Sequence, residues 1–394
     1  MPGVLDGVRV LDFGRYIAGP MCAALLGDLG ADVIRVERLS GGEDRYLLPV
    51  TQAGDGASYL QMNRNKRGMT LNPLKPEARE VVRRLVANAD VLVANLPGDT
   101  LCSMGLDYES VREIKPDIIL ASTSAFGEEG PYGNRVGFDG IGQAMCGATY
   151  LSGPPQQPTK SYASWVDFST AIFSALGTLA ALMDKKANGY GQQVHTTLFG
   201  SAVAAFNCFL IEQSLVHPNR TSSGNRAQSS GPSDIFRTKD GWIMIQVVGR
   251  PVFERWAALM GETEWLEDAR FDSDTQRAAH GTLLSERTQR WACELTSEEA
   301  LQRLADVRLP AGPVYSPQQV LDDPHVNATG MFSLVDYPGA PKPFPLLLNS
   351  MLLSQTPLTL RRRPPTVGEH TDEIMVELGF SLKEIAALHA KRVI

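Results

Sequence analysis

Residues 8–37 read VRVLDFGRYIAGPMCAALLGDLGADVIRVE, and the alternation inside this stretch decides the fold. Val8 to Phe13 is a short, mainly apolar run with the composition of a buried strand. Gly14 to Gly19 forms a loop. Pro20 stands where a helix begins, because there its missing N–H is one the first turn leaves unbonded anyway. Met21 to Leu29 carries apolar residues at helical spacing, and Gly30 stops it. Asp32 to Glu37 is a second strand. The alternation continues downstream: a helix from Glu77 to Ala87 feeds a strand from Val91 to Asn95, and a helix from Tyr108 to Ile114 feeds Ile118 to Ser122. This order predicts an α/β fold with a parallel sheet covered on both faces. Ligands of such sheets bind beyond the carboxyl ends of the strands, here near residues 14–18, 38, 95–97 and 123–127. A dinucleotide site is disfavoured, since the glycines of Gly14-Arg15-Tyr16-Ile17-Ala18-Gly19 are too far apart for GxGxxG.

After the middle of the chain the character changes. Residues 218–232 are a polar linker rich in Gly and Ser. Strands at Asp234 to Thr238 and Trp242 to Val248 follow, then helices at Val252 to Met260, Thr282 to Cys293 and Ser297 to Ala305. The expected organisation is a Rossmann-like large domain (1–217), the linker, a small α+β domain (233–325) and a return to the large domain (326–394).

The 394 residues carry 37 basic and 44 acidic side chains, a net charge of −7 without blocks of one sign. That argues against nucleic acid or an anionic membrane as the main partner. No apolar run is expected to reach membrane-spanning length, and Met1 to Asp6 lacks the basic start and apolar body of a signal peptide. The five cysteines are odd in number and far apart, without CxxC or metal-ligand spacing. Reduced thiols in a cytoplasmic protein account for them, with no metal site.

Between Tyr162 and Leu198 one acid opens a long apolar helix: Trp165-Val166-Asp167-Phe168-Ser169-Thr170-Ala171. A carboxylate flanked by Trp, Val and Phe is either the helix N-cap or a reagent, and the local pattern leaves both open.

Several motifs then carry a resemblance. Leu11-Asp12-Phe13 with Ala18-Gly19-Pro20, the run Leu26 to Glu37, Asn65-Lys66-Arg67, Met104 to Tyr108, Gly130-Pro131-Tyr132, Asp167 to Ala171, Gly189-Tyr190-Gly191-Gln192, Phe236 to Gly241, Leu309 to Val314 and Gly368-Glu369-His370-Thr371 occur in order. Over nearly its whole length the sequence resembles the class III CoA-transferase family, the group of formyl-CoA transferase, carnitine CoA-transferase and α-methylacyl-CoA racemase. The resemblance implies an interlocked homodimer and no permanently bound cofactor, with coenzyme A and acyl-CoA as substrates. It places the nucleophile at Asp167, which would form a mixed anhydride and then an aspartyl-CoA thioester. It places CoA contacts at Ile17, Ala18, Arg38, Leu71, Leu74, Lys75, Asn95, Leu96, Phe138 and Asp139.

The chain departs from the family pattern at Leu71-Asn72-Pro73-Leu74, at Asn95-Leu96-Pro97-Gly98 and at Ser103, where relatives often have arginine. Lys66, Arg67 or Arg135 are candidates to make up the missing phosphate contacts. Arg38 has a plainer reading as a partner of Glu37 or Glu43. The racemases of the superfamily use the histidine of a Gly-His-Asp motif; Gly137-Phe138-Asp139 stands here, and phenylalanine moves no proton. Racemase or isomerase chemistry and a non-catalytic CoA-binding homologue remain as alternatives. His195 reads as a core or interface residue and His370 as part of a helix cap. For the acid substrate, Arg15, Tyr16 and Tyr59 are the candidates; a guanidinium beside the acyl pocket would favour a short dicarboxylic acid such as succinate, mesaconate, itaconate or citramalate. Pairing of Arg15 with Asp12 or Asp28, or with a CoA phosphate, is the equal alternative.

Overall fold

The computed structural model describes residues 3–133, 135–348 and 350–394. Two compact units divide the chain: residues 1–146, 162–208 and 328–394 form one, and residues 147–161 and 209–327 the other. The second unit therefore extends past the expected 233–325 on the N-terminal side. The chain changes units inside a continuous apolar helix, a crossing that leaves no polar break for the sequence to show.

The first unit contains β1 (Arg9–Asp12), α1 (Ala18–Asp28), β2 (Asp32–Glu37), α2 (Ala57–Met62), β3 (Lys66–Thr70), α3 (Arg79–Ala87), β4 (Val91–Ala94), α4 (Gly98–Met104), α5 (Tyr108–Ile114), β5 (Ile119–Ser124) and α6 (Asp139–Met145). A short helix α7 (Ala148–Leu151) of the second unit intervenes before α8 (Trp165–Asn188), β6 (Gln193–Thr197) and α9 (Leu198–Val216). The six strands lie in the order β3-β2-β1-β4-β5-β6, all parallel. That is the strand order of doubly wound nucleotide-binding sheets.

Side chains alternate across this sheet as a period of two requires. Val10, Val33, Val91 and Ile119 point into one core cluster with α1 and α8. Leu11, Ile34, Leu92 and Leu120 point into the other, with α3 and the C-terminal helices. All eleven residues of α1 are buried, so its nearly uniform apolarity matches a helix enclosed on every side. Helix α8 stops at Gly189, whose φ of 81° is the left-handed conformation glycine adopts most readily, and Lys185 in its last turn meets Asp90 and Asp117, each at 2.9 Å.

Strand β3 was hidden by its charges. Lys66 is fully buried and Arg67 nearly so. Lys66 Nζ donates to Asp12 (2.7 Å), the Pro20 carbonyl (2.8 Å) and Asn63 (2.9 Å). Arg67 binds Asp32, Glu373 and Glu377. Buried cations survive only with such partners.

The second unit holds an antiparallel sheet of β7 (Ser233–Arg237), β8 (Trp242–Gln246) and β9 (Ala311–Pro313), with helices α10 (Arg250–Met260), α11 (Asp274–Ala279), α12 (Gly281–Ala292) and α13 (Ser297–Asp306). Phe253, Trp256 and Phe271 centre its core. Two short helices, α14 (Pro317–Asp322) and α15 (Pro324–Ala328), lead to the β10–β11 hairpin (Phe332–Val335, Phe344–Leu347) and to α16 (Thr371–Glu377) and α17 (Leu382–Ala390).

Two helices correct the membrane expectation. By length and composition, both α8 and α9 are long and apolar enough to span a bilayer. Interspersed Ala, Gly, Ser and Thr break up what would otherwise read as a continuous apolar run. Much of that surface is bare: Ile172, Phe173, Leu176 and Met183 of α8 are exposed, as are Ile211, Leu215 and Val216 of α9.

Candidate active site

Asp167 lies in the first turn of α8, two residues after the helix starts. It is not the cap. The carboxylate that fills that role is Asp139, at the start of α6: it accepts hydrogen bonds from the Val166 N–H (2.8 Å) and the Asp167 N–H (3.1 Å). Two of the orphan donors of the α8 N-terminus are thus satisfied from another element. Gln143, one turn along α6, donates to the other Asp139 oxygen and to the Ala163 carbonyl.

The Asp167 carboxylate is left with no side-chain hydrogen bond among the described residues. Its pKa rises from 3.8 to about 7, first because burial removes water and second because the Asp139 charge repels it. An under-solvated carboxylate at a helix N-terminus is the arrangement expected of a nucleophile.

Beyond the carboxyl ends of β1, β2, β3 and β4 opens a cavity of about 450 Å³. Arg38, Leu71, Leu74, Lys75 and Leu96 line it, as does Arg15. Phe13 and Met104, quoted above only within family motifs, line it too, as do Thr100 and Arg392, which sequence reasoning did not single out. The first three lie on or beside elements already placed at strand ends; Arg392 arrives from the far end of the chain and carries no local signal.

The loop after β1 reaches from the cavity toward α6. Tyr16, at a left-handed φ of 61°, sets its ring against Phe138 edge-on at 5.5 Å, and Phe138 immediately precedes Asp139. Asn95 holds this loop in place: its Oδ1 accepts from the Arg15 N–H (2.6 Å) and its Nδ2 donates to the Arg15 carbonyl (2.8 Å).

Residues 5–371 match the profile of CoA-transferase family III. The chain belongs to that family. It is 33% identical over 399 residues to succinyl-CoA–D-citramalate CoA-transferase of Chloroflexus aurantiacus, covering 100% of this chain and 98% of the relative. It is 33% identical to succinate–glutarate CoA-transferase of Agrobacterium fabrum, covering 95% of each. A crystal structure of a CaiB/BaiF family protein from Brucella suis superposes with a TM-score of 0.82 at 32% identity, over 96% of this chain and all of that one.

In this family III CoA-transferase several expected contacts take other places. Tyr59 is buried and donates its hydroxyl to the Pro365 carbonyl (2.9 Å) beneath Arg45, so it braces the interior rather than facing a substrate. Arg15 pairs with neither Asp12 nor Asp28. Its Nη1 donates to the carbonyls of Gly14 (2.7 Å), Phe13 (3.1 Å) and Val36 (3.4 Å). Ile17 and Ala18 begin α1 and Asn95 clamps the loop, all outside the cavity lining, as are Phe138 and Asp139.

Lys66 and Arg67 are consumed by the buried ion pairs described above, so neither makes up for the missing phosphate contacts. Arg135 lies over the Tyr132 ring at 4.4 Å. Arg38 faces Glu43 at 3.5 Å, not Glu37, which is held by Arg45. Both histidines have structural partners: His195 bridges Ser122 (2.8 Å) and Ser124 (3.1 Å), and His370 stands at the N-cap position of α16 with its ring accepting from the Gly68 N–H rather than bonding the helix.

Proposed function

We propose that this CoA-transferase moves CoA from an acyl-CoA thioester to a short dicarboxylic acid through covalent chemistry at Asp167. The observation that carries the reading is the Asp167 carboxylate itself, without a side-chain donor among the described residues and raised in basicity by burial and by Asp139.

In the first step an Asp167 oxygen attacks the thioester carbonyl, the C–S bond breaks, and CoA leaves as the thiolate with the aspartyl-acyl anhydride formed. The thiolate then attacks the aspartyl carbonyl; the anhydride C–O bond breaks, releasing the first acid as its carboxylate and leaving an aspartyl-CoA thioester. A carboxylate of the second acid attacks that thioester, forming a new anhydride and freeing the thiolate again. The thiolate finally takes the new acyl group and returns Asp167 as carboxylate. No proton or electron is gained or lost. The N-terminus of α8 supplies positive potential where the oxyanions develop, and the cavity over β1–β4 suits the CoA body.

The dicarboxylic class rests on the relatives, one named for citramalate and the other for succinate and glutarate. Arg15 is not its selector in this reading, since its guanidinium is turned to backbone carbonyls and lines the CoA cavity. The bare apolar flanks of α8 and α9 support a homodimer that covers them. All five cysteines are free thiols, which supports a cytoplasmic setting.

The test offers succinyl-CoA with dicarboxylic and monocarboxylic acids of equal length and follows both acyl exchange and deuterium entry at the α-carbon. Exchange favouring the dicarboxylates is expected. Deuterium entry without acyl transfer would establish racemase chemistry instead.

A further inference from the structure

We propose that Arg392 binds the ribose 3′-phosphate of CoA, an assignment that rests on the CoA-transfer reading above. Among the described residues four cations line the cavity, and three are engaged. Arg15 is tied to three backbone carbonyls, Arg38 faces Glu43, and Lys75 Nζ donates to the Lys391 carbonyl. Arg392 has no side-chain partner among the described residues and is the cation left to meet an incoming anion. The loss of an arginine at Ser103 is thereby offset from elsewhere: Met104, the neighbour of Ser103, lines the same cavity as Arg392.

The backbone gives independent support. Helix α17 ends in a Schellman turn, with the Arg392 N–H on the His389 carbonyl (2.8 Å) and the Val393 N–H on the Leu388 carbonyl (2.9 Å). Arg392 occupies the left-handed position of that turn at φ 53°, the place glycine ordinarily takes. Any residue with a Cβ is strained there. Its neighbours hold it: Val393 and Ile394 are buried in the core, and the Asn72 N–H bonds the Val393 carbonyl at 2.8 Å. Strain kept at one side chain that opens onto a cavity points to a ligand.

Position selects the phosphate. Helix α8, which carries Asp167, packs on β5 and β6, whereas Arg392 joins the cavity beside the segment that follows β3, at the opposite edge of the sheet. A thiol directed to Asp167 leaves the nucleotide at the β3 end, and the 3′-phosphate, a dianion, is the phosphate farther along the molecule from the thiol.

The test measures calorimetric affinities for CoA and 3′-dephospho-CoA, with melting temperatures, for wild type and Arg392→Gly. Glycine suits the turn, so the variant should melt no lower than wild type. It should bind CoA roughly tenfold more weakly, the scale of one charge-assisted hydrogen bond, and bind 3′-dephospho-CoA as wild type does. Equal loss for both ligands, no loss for either, or a lowered melting temperature in step with the affinity would overturn the assignment. Wild type that binds neither ligand would instead remove the CoA reading beneath it.

Discussion

At the scale of the residue, the proposed nucleophile Asp167 is set apart from other carboxylates by its burial and by the Asp139 charge beside it. The sequence singles out Asp167 by its apolar neighbours and by the family motif. The contact with Asp139 is not legible there, because Asp139 stands 28 residues earlier in the chain and reaches α8 only through the packing of α6. Arg15 and Tyr59 misled for a related reason: sequence placed their backbones near the site but could not say where their long side chains turn. The raised pKa has two measurable consequences. Transfer should fall on the acid side of about pH 7 as Asp167 takes a proton, and Asp139→Asn, which removes the repelling charge, should move that limb to lower pH. For stability the sign is opposite to that of an ordinary paired carboxylate. The folded state holds the Asp167 proton more tightly than the unfolded chain, so stability is lost as pH rises from about 4 to about 7. Asp167→Asn should therefore be more stable than wild type at about pH 8, by on the order of a few kcal/mol at most, with the gain shrinking toward pH 4. Denaturant titrations at the two ends of that range check it, and a pH-independent difference would contradict it.

At the scale of the element, the strands and helices of the first unit were readable wherever apolar residues kept a clean period. Helix α5 runs from Tyr108 to Ile114 as its spacing predicts. Boundaries drifted where local chemistry was permissive: α1 starts at Ala18, before Pro20, because proline is tolerated anywhere in a first turn whose N–H groups are unbonded. Strand β3 was lost altogether, since charges paired only in three dimensions look like surface charges in one. The element with most at stake is the N-terminus of α8. Asp139→Ala leaves the Val166 and Asp167 N–H groups without their acceptor and should cost about 1 kcal/mol, as removal of a helix cap does. Asp139→Asn keeps an acceptor oxygen and should cost less. Equal melting temperatures for wild type and the alanine variant would show that the contact does not anchor the helix.

At the scale of the whole molecule, alternation in the sequence implied a parallel sheet. The order β3-β2-β1-β4-β5-β6 and the passage of the chain between units within α9 depend on crossovers that no local pattern encodes. The bare apolar helices make assembly the next expectation. If they are covered by a second copy, sedimentation should show a dimer throughout the range in which transfer is measured, and unfolding should depend on protein concentration without a folded monomer. A stable, active monomer would contradict this. The central claim is covalent transfer through Asp167, and mass spectrometry of the enzyme mixed with succinyl-CoA tests it most directly. The account predicts a protein heavier by CoA less one water, with the added mass on the peptide that contains Asp167 and absent from Asp167→Ala. Turnover by Asp167→Ala at the wild-type rate, or an adduct mapped to another residue, would contradict it.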